Sequence, residues 1–333
     1  MNKDSAAQIK LAFFVLIEII VCAAIPAVLF FVLGVFSFYF LAVPLIYIAA
    51  RRTYTAGLIS CIIAFFLFYF IFGFNSAAMI FLIILPAVAV VPYLLRSQRR
   101  MFESVVLSAG AVAAGIGLFI GFVYIVFKMN IIDYFITMLK DTIDMISAEQ
   151  SAALLEAYGM NLKEILSELL AELDPFLRTN LPALMINLAL VAGLLYFLVP
   201  RALLKKRGVN VVNIPPFSKF MLPKSFTWGA LSSLVIVLVG YLFNLENFDI
   251  VLHTLLAVYL MILQIQGLAV VDFLLRRTGM KTAPRVVILV SGMIVFSLFG
   301  LNNILSFAGL FDQIFRFRER SVPKDQDKGG RFF

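Results

Sequence analysis

An all-α integral membrane protein, folded as a polytopic helical bundle of about ten apolar segments, is what the sequence predicts. Three observations carry this. Hydrophobic residues make up 63% of the 333 residues and charged residues only 14%, with a mean hydropathy of +1.03. Soluble domains hold about 25% charged residues, so too little polar surface exists here to cover a water-soluble body of this size. The apolar residues come in unbroken runs near the ~20 residues that cross a bilayer, not in strand-like alternation. Basic clusters also recur at regular places between the runs.

Several function classes fall away on composition. A net charge of +8 would suggest nucleic acid in a soluble protein. In a membrane protein, basic residues mark the cytoplasmic side and its anionic lipids, so no nucleic-acid partner is expected. The two cysteines, Cys22 and Cys61, lie inside apolar runs, and one histidine cannot complete a zinc site with them. No metal and no cofactor is expected. Lys3 and Lys10 precede the first run without the small-residue cleavage site of a signal peptide. The chain carries no phosphate-binding glycine loop, no His-Glu-x-x-His and no nucleophile elbow, so it does not read as an enzyme.

Taken in order, the runs are 11–32, 35–50, 55–72, 77–95, 104–127, 181–203, 226–244, 250–274, 285–299 and 303–316. The second and the last two are shorter than a full span and read as tilted, re-entrant or half-helices. Gly34, and Gly300 with Asn302 and Asn303, are suited to tight turns between them. Basic clusters follow only the even-numbered runs: Arg51 and Arg52; Arg96, Arg99 and Arg100; Arg201, Lys205, Lys206 and Arg207; Arg276, Arg277, Lys281 and Arg285; Arg316, Arg318 and Arg320. That places them on one side, which the positive-inside bias makes cytoplasmic together with both termini. The domain plan is thus five segments in 1–128, an outer stretch 129–180, five segments in 181–319 with a basic, Pro-rich cytoplasmic loop at 201–225, and a polar tail 320–333.

The outer stretch is acidic. Between residues 130 and 180 nine acids face three bases, Lys140, Lys163 and Arg178, a net of −6. Leu162, Ile165, Leu166, Leu169, Leu170 and Leu173 recur at helical spacing, with Lys163, Glu164, Glu168 and Glu172 on the other face. Asn161 with Glu164, and Ser147 with Gln150, read as capping boxes. Gly159 and Asp174-Pro175 read as helix ends. An amphipathic cap on the outer surface is expected, either a passive interfacial cap or a lid over a cavity.

Polar residues inside the runs are the candidates for a ligand cavity, because a charged side chain at mid-bilayer costs about 2.5–3.5 kcal/mol on insertion scales. Glu18 lies roughly 10 Å in from Leu11 and either binds a cation, a solute amine or a proton, or hydrogen-bonds a neighbouring helix. In segment eight, His253 and Gln264 share a face, eleven residues being close to three turns, while Gln266 points elsewhere. Cavity lining and interhelical hydrogen bonding are both open for these amides. Asp272 is placed for an i,i+4 ion pair with Arg276. Ala113, Gly117 and Gly121 form a small-residue stripe suited to close helix packing, beside a second stripe of Ala111 and Gly115. In the loop, Pro215, Pro216, Phe217 and Pro223 form a stiff surface segment, either a docking site for a cytoplasmic partner or an interfacial anchor.

Four segments together carry a family resemblance. They are Arg201 to Gly208 with Ile214-Pro-Pro-Phe217 and Met221-Leu-Pro-Lys224; Val43 to Arg52; Gln266-Gly-Leu-Ala-Val270; and Gly309-Leu-Phe-Asp312 leading to Phe317-Arg318. As a set they resemble the YybS-like family of uncharacterised bacterial multi-pass membrane proteins, over nearly the whole chain. That family is distantly similar to the S-components of energy-coupling-factor vitamin transporters, from which this chain departs in its length, extra spans and acidic outer segment. The resemblance implies a solute-binding or transport-related subunit of the bacterial inner membrane, a small-molecule solute, and energising partner subunits in the membrane or cytoplasm. The alternative is a non-enzymatic scaffold that assembles with envelope proteins in the lipid bilayer.

Overall fold

The computed structural model describes residues 3–97, 101–145, 162–213, 216–243, 245–298 and 301–320. Every regular element among them is helical. Among the described residues six helices are long and apolar enough to cross a membrane: Ala12–Leu33, Tyr54–Arg96, Met101–Phe127, Glu164–Lys206, Lys224–Leu242 and Phe248–Arg277. Shorter apolar helices accompany them at Phe36–Arg51 and Pro284–Met293. The chain divides into two compact units, Met1–Asn213 and Ile214–Phe333.

In the first unit, α1 (Lys3–Leu33) ends at Gly34, whose φ of 53° opens a 3₁₀ turn, Gly34–Tyr39. The short α2 (Val43–Arg51) follows, with Pro44 in its first turn, where a missing N–H costs nothing. Next comes α3 (Tyr54–Arg96), whose 43 residues would run about 65 Å if straight, twice the hydrocarbon thickness. Gly73 breaks it, at φ 81° and ψ 169°, a conformation essentially reserved for glycine. The rings of Phe65 and Phe81 lie 5.4 Å apart, whereas sixteen residues of straight helix would separate them by about 24 Å. The chain therefore doubles back, and the two arms are the third and fourth runs expected from the sequence.

Lipid is as apolar as a protein core, so burying Leu or Phe between helices gains little; close backbone approach does more. In α4 (Met101–Phe127) the buried stripe is Ala111 and Gly115, where a Cβ at Gly115 would strike the carbonyl of Ile83 on α3. A Cβ at Gly193 would likewise strike the backbone of Ala109. The stripe of Ala113, Gly117 and Gly121 points elsewhere: Ala113 and Gly117 are exposed, and nothing lies within 4 Å of a Cβ at Gly117 or Gly121. Large apolar residues such as Phe13, Phe31 and Phe70 are exposed as well, which suits lipid and not water.

The acidic stretch pairs α5 (Ile131–Asp144) with the first half of α6 (Leu162–Lys206). Asn130 caps α5 by accepting from the Asp133 amide at 2.8 Å. Ile136 of α5 packs on Leu170 and Leu177 of α6, and Arg178 reaches Asp133 at 2.8 Å. Here the expected helix end at Asp174-Pro175 is corrected: α6 runs through Pro175, Pro182 and Pro200 as one 45-residue helix. A proline costs a helix interior about 3 kcal/mol. The unbroken Leu170, Leu173, Leu177, Leu181 seam against α5 offsets it. Gly159, Ser147, Gln150 and Asn161 lie outside the described residues.

In the second unit, α7 (Lys224–Leu242), α8 (Phe248–Arg277), α9 (Thr282–Leu298) and α10 (Asn302–Phe315) follow. Gly267 of α8 sits against the carbonyl of Leu305, and Gly309 of α10 against that of Leu263, so α8 and α10 cross at contact distance. Gly300 is outside the described residues, and α10 begins at Asn302.

The two stripes of α4 make a direct test. Gly115→Leu is expected to lower stability in detergent by more than the 1–3 kcal/mol usual for overpacking, because it meets backbone. Gly117→Leu should stay within about 0.5 kcal/mol of the parent. Thermal unfolding of both variants checks this, and equal losses would contradict the packing.

Candidate functional site

One face of α1 carries Glu18, Val21, Cys22, Ile25, Leu29 and Leu33 at spacings of three and four. These residues form one wall of a cleft of about 550 Å³. Phe40, Val43, Pro44, Tyr47 and Arg51 form the second wall, and Leu203 and Arg207 from the end of α6 complete it. Beyond the Cys22 thiol and the Tyr47 hydroxyl, the length of the cleft is aliphatic or aromatic. Its charge is gathered at one end.

That end is built by arginines. Glu18 Oε1 pairs with Arg51, and Oε2 accepts from Arg52 Nε at 2.9 Å. Arg51 also donates to the Tyr47 hydroxyl at 3.0 Å and lies over the Tyr47 ring. Arg207 lines the same end of the cleft, and no carboxylate among the described residues pairs with it. Arg96 closes the C-terminus of α2 by donating to the carbonyl of Ala50 at 2.6 and 2.9 Å and to that of Arg52 at 3.1 Å. Arg201 holds the carbonyl of Val212 at 2.7 Å, and the Val212 amide donates to Leu95. The basic ends of α2, α3 and α6 therefore lie together, as expected if each even-numbered run ends on the same side. The sequence had assigned Arg51, Arg52 and Arg207 only to orientation; their contact with Glu18 and Tyr47 has no short-range signature.

Of the other candidates, His253, Gln264 and Gln266 all belong to α8 in the second unit. His253 is exposed and Gln264 half-buried. Gln266 is fully buried at the centre of a polar network. Its amide donates to Asp312 Oδ2 at 3.1 Å, and its carbonyl accepts from the Leu222 amide at 3.4 Å. Arg318 reaches the same Oδ2 at 2.6 Å and also donates to the carbonyls of Ser218 and Phe220 at 3.0 and 2.9 Å. Arg316, in the left-handed region at φ 48°, turns the chain so that Arg318 points back at Asp312. Gln313 adds a 2.7 Å bond to the Thr227 hydroxyl.

This network holds down the Pro-rich loop. Ser218 and Leu222 are buried, Phe217 stacks on Phe220, Pro223 is half-buried and Pro216 is exposed. Pro215 lies outside the described residues. Three of the four segments that carried the family resemblance, around Phe217, Gln266 and Asp312–Arg318, thus meet in one place. The expected Asp272–Arg276 pair is corrected: Asp272 is buried and pairs with Arg285 of α9 at 3.1 Å. Arg276 instead reaches the Ser218 hydroxyl at 3.3 Å. An exposed i,i+4 pair gains only a few tenths of a kcal/mol, less than a buried carboxylate gains from a partner on the facing helix.

A family profile described as Predicted membrane protein (DUF2232) matches residues 15–313, so the chain belongs to that family and is a multi-pass integral membrane protein. No curated protein and no solved structure matches the chain.

Removing one partner of a buried pair strands the other, at about 3–5 kcal/mol. Arg318→Leu is therefore expected to release the loop, so that trypsin cuts after Lys219, already exposed, far faster than in the parent chain. Unchanged cleavage would show that the loop is held by other means.

Proposed function

We propose that this member of the DUF2232 family is a ligand-binding, transport-related subunit of the bacterial inner membrane, with the α1–α2 cleft as its binding site. One observation carries the reading: an apolar cleft within the first unit ends where Arg51, Arg52 and Arg207 gather around one carboxylate, Glu18. A sealed bundle would fill such a space with side chains, as close packing of helices rewards. Binding and not catalysis is the proposed role: the one thiol in the cleft, Cys22, is buried, and the carboxylate on its face, Glu18, is engaged by Arg51 and Arg52. In this reading the chain resembles S-components in capturing a ligand within the bilayer, and an energising partner would be supplied by other subunits. The basic clusters and both termini are assigned to the cytoplasm, and the acidic α5–α6 pair to the outside. Supporting this, Arg51, Arg52, Arg96 and Arg201 gather at one end of the first unit, and Arg276, Arg285 and Arg318 gather around Ser218 and Asp272 in the second.

The scaffold reading rests on a different observation. Ala113, Gly117 and Gly121 present a small-residue stripe that no helix of the described chain covers, and such stripes let a second helix approach closely. Cross-linking from Gly117→Cys in native membranes to another protein would favour it.

Two measurements test the binding reading. In native mass spectrometry of the full chain from its own membranes, a copurifying small molecule is expected with the parent and absent with Ile25→Trp, which fills the cleft from its open side. Retention of the same molecule by Ile25→Trp would place it elsewhere. For orientation, a membrane-impermeant maleimide on intact cells should label Asp141→Cys and not Lys205→Cys in a Cys22→Ala, Cys61→Ala background. The reverse labelling would invert the topology.

A further inference from the structure

We infer that the cleft takes an anionic phospholipid of the bilayer, its acyl chain along α1 and its phosphate at Arg51, Arg207 and Tyr47, with Glu18 as the built-in competitor for that phosphate. The inference rests on reading the cleft as a binding site and assigns the ligand class.

Shape comes first. The face from Glu18 to Leu33 extends about 22 Å at 1.5 Å per residue, enough for the ~15 Å of hydrocarbon in one leaflet. Val21 and Ile25 line the cleft and are also 50% and 37% exposed on the protein surface. The cleft therefore opens sideways, toward acyl chains. A water-soluble solute would need polar partners along its length, and beyond Tyr47 and Cys22 the walls supply none.

Charge selects the head group. Arg51, Arg52 and Arg207 stand against the single carboxylate of Glu18. Among the described residues the end of the cleft thus keeps an excess of two positive charges, and Arg207 pairs with no carboxylate there. Guanidinium pairs bind phosphate oxygens in a fixed two-point geometry, and a tyrosine hydroxyl adds a donor. A zwitterionic head group brings its own cation into this cluster and loses part of the attraction. Anionic lipids are concentrated in the leaflet where basic clusters lie.

Glu18 gives the inference its distinctive consequence. Its two oxygens hold Arg51 and Arg52 as a lipid phosphate would, so phosphate and carboxylate compete for Arg51. Removing the carboxylate charge should tighten binding, whereas neutralising an intramembrane acid with no such role would leave it unchanged.

The test is native mass spectrometry of the delipidated full chain, titrated with phosphatidylglycerol, with phosphatidylcholine of the same acyl chains, and with inorganic phosphate. Phosphatidylglycerol is expected to bind more tightly than phosphatidylcholine. Affinity should fall about tenfold or more in Arg51→Gln/Arg207→Gln and in Ile25→Trp, stay unchanged in Lys205→Gln, and rise several-fold in Glu18→Gln. Arg207→Gln alone, at an exposed position, serves if the double variant does not fold. Equal affinity for the two lipids, an equal fall with Lys205→Gln, or no rise with Glu18→Gln would overturn the assignment. Binding of inorganic phosphate that Ile25→Trp leaves intact would point to a free anion and overturn it too. If a different copurifying molecule is displaced by Ile25→Trp while phosphatidylglycerol shows no preference, the lipid assignment fails and the binding-subunit reading stands.

Discussion

A carboxylate that has left water must find donors, and three carboxylates within the helices of this chain find them in arginines brought from elsewhere in the sequence. Glu18 is met by Arg51 and Arg52, Asp272 by Arg285, and Asp312 by Arg318. In each unit these pairs fix which helix ends lie together. The first draws the end of α2 onto α1. The last two tie α9, the C-terminal turn at 317–320 and the loop around Ser218 to one end of α8 and α10. Such a pair adds little net stability over an apolar replacement, but losing half of it strands a charge. Its contribution is to penalise every arrangement in which the partners are apart.

The apolar pattern made most of the fold legible. The runs 35–50, 77–95 and 104–127 end within a few residues of the observed helix ends at Arg51, Arg96 and Phe127, because a bilayer admits few other conformations. The reversal near residue 73 was legible as the gap between the runs 55–72 and 77–95, though Gly73 itself was not singled out. The continuation of α6 through Pro175 was not. Proline is a local signal, and what overrides it is a seam with α5 about forty residues away.

The candidate sites were legible as residues and not as groupings. Glu18 stood out because it is an acid inside an apolar run, but its partners had been read only as markers of sidedness. Gln266 was noticed, yet Asp312 and Arg318 were not set beside it, although all three belong to the segments that carried the family resemblance. Pairing across 46 residues leaves no periodicity to read. The small-residue stripes of α4 show the same limit: spacing identifies two faces suited to close packing, and only the position of Ile83 decides which one is used inside the chain.

The hairpin of α3 has a consequence for how the chain enters the membrane. From Thr53 to Leu95 there is no charged side chain, and the turn after Gly73 offers only Asn75 and Ser76 as polar groups. Carrying that turn through the bilayer drags no ion across, so it can follow its two arms as a unit instead of being threaded as a separate loop. The turn also holds no signal of sidedness. On the orientation proposed above, the hairpin points away from the side that keeps Arg51 and Arg52 before it and Arg96 after it, since crossing would cost each of them its water. On that orientation Arg51, which lines the end of the cleft, also counts among the charges that set the direction of insertion.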